Sequence, residues 1–111
     1  MRSLIHIKGK DIQSIGEQYD LHPLVLEDIV NTLVELRDKN GRLFFLGVGG
    51  SAANASHAVN DFRKLCNIDA YTPVDNISEI TAKTNDEGFE TIFDSYLKLS
   101  KFSMKDILMV L

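Results

Sequence analysis

The run Leu43-Phe44-Phe45-Leu46-Gly47-Val48-Gly49-Gly50-Ser51-Ala52-Ala53-Asn54-Ala55-Ser56-His57 carries the strongest structural signal in the sequence. The continuous apolar stretch at residues 43–46 is the pattern of a strand buried on both faces of a parallel sheet. Residues 47–50 turn the chain, and the stretch from Ser51 to about Leu65, rich in small side chains, reads as a helix. A strand, a glycine-rich turn and a helix start in this order are built like a phosphate-binding site. Glycines let the backbone turn sharply and approach an anion, while free N–H groups and the dipole at a helix amino end favour negative charge. Gly47, Gly49, Gly50 and Ser51 are therefore the candidate phosphate residues, with the Ser51 hydroxyl as an added donor. The competing reading is that the glycines serve only a tight turn.

Outward from this segment, strands alternate with helices. Residues 4–7 form a short β-type run, and a weak helical pattern follows up to Asp20. His22-Pro23 opens a helix whose apolar positions Leu26, Ile29, Val30, Leu33 and Leu36 recur at helical spacing to about Asp38, where Asn40-Gly41 stops it. After the glycine turn and its helix, residues 70–74 are a short strand interrupted by Pro73, residues 77–84 look helical, and Gly88 breaks the chain. Residues 89–101 give a further amphipathic helix and residues 107–111 a last apolar strand. The expectation is one three-layer α/β domain spanning 1–111, with a mostly parallel sheet of about four strands and helices on both faces. Ligands of such sheets sit at the carboxyl ends of the strands.

Composition narrows the function classes. The chain has 111 residues, 44% hydrophobic and 25% charged, with a net charge of −4 from scattered acidic residues. No basic patch marks a nucleic-acid partner, and no run approaches the roughly 20 apolar residues of a membrane span. Cys66 stands alone, which fits a reduced, cytoplasmic setting and a small buried apolar role.

His57 and Asp61 lie four residues apart on one helix face. That spacing suits a weak divalent metal or a carboxylate orienting an imidazole, and equally a surface ion pair. Gly47, Gly49 and Ala52 also fit a dinucleotide fingerprint, with Asp75 about 20 residues on as a ribose acceptor, but the double glycine plus serine suits a single phosphate better. Asn85-Asp86-Glu87-Gly88 either places Asp86 near a sugar or makes a turn. His6 and His22 have no partner at a meaningful spacing.

From about Leu33 to Leu111 the sequence resembles the sugar isomerase (SIS) family, and within it the phosphoheptose isomerases. The residues that carry this are Gly41 through His57, then Asp75-Asn76-Ile77-Ser78-Glu79 and Asn85-Asp86-Glu87-Gly88-Phe89. The resemblance implies half of an SIS or flavodoxin-like fold, with phosphate held by Gly49, Gly50 and Ser51 and Asp86 lining the substrate site beside Asn85. It also implies His57 and Asp61 at the reacting centre or a metal, with Asp61 in place of the family's glutamate. The family's later serine- or glycine-rich loop and its downstream catalytic histidine have no counterpart after residues 107–111. Residues 4–32 resemble instead the amino-terminal domain of CorA-type magnesium transporters, through Ile15-Gly16-Glu17-Gln18-Tyr19-Asp20-Leu21-His22-Pro23-Leu24-Val25-Leu26-Glu27-Asp28-Ile29-Val30-Asn31.

Two resemblances meeting inside one helix imply a chimera: an engineered or recombined scaffold without catalysis that keeps a weak phosphate or sugar-phosphate turn and pairs as a homodimer. The alternative is a phosphoheptose isomerase whose site is completed by oligomerisation.

Overall fold

The computed structural model describes residues 22–111. The strand expected at residues 4–7, the helix up to Asp20 and the CorA-like residues before His22 lie outside the described residues. At the centre stands β1 (Arg42–Leu46), flanked on one side by β2 (Asp69–Tyr71) and on the other by β3 (Ile107–Val110), both parallel to it.

Helix α1 (Pro23–Asp38) begins where His22 Nδ1 accepts the Leu24 N–H at 3.2 Å, so this histidine has a backbone partner that its spacing did not suggest. Leu26, Val30, Leu33 and Leu36 form its buried stripe, which runs without a break through residues 32 and 33. Helix α2 (Gly50–Cys66) buries Ala55, Val59, Phe62 and Cys66 and ends at Asn67, whose left-handed backbone lets Ile68 N–H reach the Phe62 carbonyl. Leu43 and Phe45 of β1 point into this α1–α2 layer, joined by Ala70 from β2 and by Ile107 and Met109 from β3. Phe44 points to the opposite face, where its ring meets Tyr71, Tyr96 and Phe102 at centroid distances of 5.7, 6.2 and 5.5 Å. The fold is thus an open parallel sheet with helices on both faces, a partial SIS or flavodoxin-like arrangement.

Several boundaries differ from the sequence reading. The strand expected at 70–74 ends at Tyr71, because Pro73 fixes its φ and starts a single 3₁₀ turn (Pro73–Asp75) capped by Thr72. Helix α3 (Ile77–Glu87) continues past residue 84 and absorbs Asn85 and Asp86, and Gly88 caps it. The helix expected at 89–101 is a 3₁₀ turn (Phe89–Thr91) followed by α4 (Ile92–Leu99). β3 is not buried on both faces. Leu108 and Val110 are exposed, and no strand pairs with its outer side among the described residues.

Candidate functional site

Strand order places the glycine turn. The chain leaves β1 through α2 to reach β2, then crosses back past β1 through α3 and α4 to reach β3. Helices lie on opposite faces for the two crossings, so the strand order reverses beside β1 and a crevice opens at the carboxyl ends of β1 and β3. Residues 47–50 lead out of β1 at that point, and the Leu111 N–H donates to the Leu46 carbonyl at 2.9 Å alongside it.

Each glycine meets a different demand. A Cβ on Gly47 would stand 2.5 Å from the Ser51 carbonyl oxygen and 2.9 Å from the Ala52 nitrogen, so the end of β1 rests directly on the first turn of α2. Gly49 is the helix N-cap with φ 64° and ψ −125°, a conformation that side chains resist. A Cβ on Gly50 would meet nothing within 4 Å. Packing explains Gly47 and backbone conformation explains Gly49, while Gly50 leaves open space beside the helix start.

The Gly49 carbonyl accepts from Ala52 and Ala53 N–H at 3.1 and 3.3 Å. The N–H groups of Gly49, Gly50 and Ser51 take no acceptor among the described residues, and the first turn of α2 holds no acidic side chain. Three donors at a positive helix end, with no carboxylate to repel it, suit an anion. The Ser51 hydroxyl departs from expectation: its Oγ accepts from Val48 N–H at 2.9 Å and donates to the Val48 carbonyl at 3.0 Å, so its proton is engaged inside the turn.

His57 Nε2 and Asp61 Oδ2 are 3.1 Å apart, the imidazole 69% exposed and the carboxylate only 11%. The pair therefore stands at the surface on its histidine side and in the protein on its aspartate side. Six residues along an α-helix span about 9 Å and more than one and a half turns, so His57 lies farther down α2 than Ser51 and on a different face. Among the described residues no group of three or more His, Cys, Asp or Glu converges as a metal site. Asn85 and Asp86 are exposed at the end of α3, where the Asn85 amide donates to the Asp86 carboxylate at 3.0 Å. A cavity of about 230 Å³ separates the turn from α3 and α4 and is lined by Gly47, Gly49, Ala52, Val74, Ile80 and Phe93 among others. Ser51, His57, Asp61, Asn85 and Asp86 do not line it. The structure thus gathers Gly47, Gly49, Gly50 and Ser51 into one turn and His57 with Asp61 into one pair, and leaves Asn85 and Asp86 apart.

Over 103 residues the chain is 31% identical to the phosphoheptose isomerase of Geotalea daltonii, a match covering 88% of this chain. The chain is similar to phosphoheptose isomerase. It spans about half of that relative, 52% of its length. In fold it matches the solved phosphoheptose isomerase from Neisseria gonorrhoeae with a TM-score of 0.72 over 92% of this chain and 53% of the other, at 22% identity. No protein-family profile matches the chain. The sequence match covers more than residues 33–111 supply, so it extends into the segment expected to be of separate origin. The reading as a chimera and engineered scaffold is left without support, and the likeness is to one enzyme type on both sides of residues 32 and 33. No helix among the described residues is long and apolar enough to cross a membrane.

Proposed function

We propose that the chain is the phosphate-holding part of a sugar-phosphate isomerase of the phosphoheptose isomerase type. The carrying observation is the turn at residues 47–51 at the carboxyl end of β1, where the N–H groups of Gly49, Gly50 and Ser51 take no acceptor among the described residues, in a chain 31% identical to phosphoheptose isomerase. In this reading Gly49, Gly50 and Ser51 hold the phosphate. His57, oriented by Asp61 at 3.1 Å, carries a proton for the carbons that exchange aldehyde and ketone character. Such an isomerisation moves one hydrogen between adjacent carbons and one between their oxygens, and needs no redox partner. The rise along α2 between the turn and His57, about 9 Å, is of the order of an extended sugar phosphate. A divalent metal at His57 and Asp61 would need ligands beyond these two. In this reading the groups that complete the site belong beside the exposed edge of β3, on the far side of the crevice.

The test is an amide chemical-shift titration with sedoheptulose 7-phosphate, inorganic phosphate and unphosphorylated sedoheptulose. The two phosphates should move the Gly49, Gly50, Ser51 and Ala52 amides with a Kd in the millimolar range, roughly 4 kcal/mol of binding, and the free sugar should not. No response at tens of millimolar phosphate refutes the reading.

A further inference from the structure

The Ser51 hydroxyl has one proton to donate, and the Val48 carbonyl takes it at 3.0 Å while the Val48 N–H donates back to the same oxygen at 2.9 Å. Both polar groups of residue 48 are thereby held by one side chain. The Val48 carbonyl and the Gly49 N–H belong to a single rigid peptide plane, so a bond to the carbonyl also fixes the direction of that N–H. Among the described residues no other hydrogen bond holds this plane. Gly49 sits at φ 64°, glycine crosses readily between positive and negative φ, and a Cβ built there would meet nothing within 4 Å. Released from Ser51, the plane could rotate and present a carbonyl oxygen where a donor had been, which repels an anion instead of binding it.

We infer that Ser51 is a positioning residue: its hydroxyl locks the Val48–Gly49 peptide and so fixes the direction in which the Gly49 N–H is offered to an anion at the turn. Phosphate is held by the backbone N–H groups, and the hydroxyl holds the backbone. This rests on the phosphate reading of the turn.

Ser51→Ala and Ser51→Thr, each in the full chain, separate the roles. The first measurement is made without any anion: amide hydrogen exchange at Val48, and the nuclear Overhauser effect between Val48 Hα and Gly49 HN, which reports the orientation of the plane. The second is an inorganic phosphate titration. Ser51→Ala should speed Val48 exchange, alter the Overhauser effect and raise the phosphate Kd about fivefold, the equivalent of one ordinary hydrogen bond. Ser51→Thr, which keeps the hydroxyl, should restore all three. A weakened Kd with exchange and plane orientation unchanged would make the hydroxyl a direct ligand and overturn the inference. So would an altered plane with unchanged affinity. If the unsubstituted chain ignores phosphate, the reading of the site fails, while the anion-free measurements still decide whether Ser51 holds the plane.

Discussion

Arg42 and Asp106 grip each other across the amino ends of β1 and β3, with Nε donating to Oδ1 at 3.1 Å and Nη2 to Oδ2 at 2.8 Å. The same guanidinium donates to the Ser100 and Lys101 carbonyls at 2.9 and 3.2 Å, and lies 5.0 Å over the Phe44 ring. Asp106 also accepts the backbone N–H groups of Arg42 and Ser103 at 3.2 and 2.9 Å, and its side chain is only 3% exposed. This staple ties the segment leading into β3 to the centre of the sheet, at the end opposite the glycine turn.

Replacing Asp106 with Ala should cost about 2–4 kcal/mol in urea unfolding at neutral pH, since it leaves two backbone N–H groups and a guanidinium short of acceptors. Hydrogen bonding from Arg42 holds the Asp106 carboxyl below its usual range in the folded state. Its contribution is therefore full above the ordinary carboxylate range and is lost as pH falls through the lower folded value. Asp106→Asn should flatten that acid limb. An acid limb identical to that of the unsubstituted chain would remove the staple from the account.

The two flanking glycines should separate stability from binding. Gly47→Ala forces a Cβ to within 2.5 Å of the Ser51 carbonyl and should destabilise by about 1–3 kcal/mol. Gly50→Ala meets nothing within 4 Å and should leave unfolding unchanged or improve it by up to about 1 kcal/mol, yet weaken phosphate binding. Equal phosphate affinity for Gly50→Ala and the unsubstituted chain would mean that the anion does not approach residue 50.

His57→Ala should change stability by less than about 0.5 kcal/mol, because the imidazole is largely in solvent. Phosphate titration should be unaffected. Any conversion of sedoheptulose 7-phosphate by the associated protein should disappear, and turnover that survives the substitution would take His57 out of the reaction.

The open edge should drive self-association. Val110 is 72% exposed and Leu108 38%, on a strand with no outer partner among the described residues. Sedimentation at high micromolar concentration should show a dimer that Val110→Lys dissociates. A monomer throughout would exclude this edge as the contact.

The sheet and the turn were readable because their signals are local. Residues 43–46 had no polar position to leave in solvent, and glycines between a strand and a helix admit few alternatives. The extent of α3 was not readable. Asn85, Asp86 and Gly88 carry turn chemistry, yet only Gly88 ends the helix, because the two polar side chains can remain in solvent on the last turn. Asp106 was invisible for another reason: its partner is 64 residues away, and an arginine at the head of an apolar run reads as an ordinary strand flank. The role of Ser51 depended on where one proton goes, which spacing does not encode. The separate origin suggested for residues 4–32 rested on a short run of residues, and the longer match to phosphoheptose isomerase outweighs it.

The strand order β2-β1-β3 also sets an order of assembly. β1, the glycine turn, α2 and β2 follow one another directly, so this unit closes over a short loop, whereas β3 must return across α3 and α4 before it can pair. During synthesis the glycine turn is therefore in place while the other edge of β1 is still bare. β3 pairs after them, and Arg42 at the head of β1 is the catch that receives it.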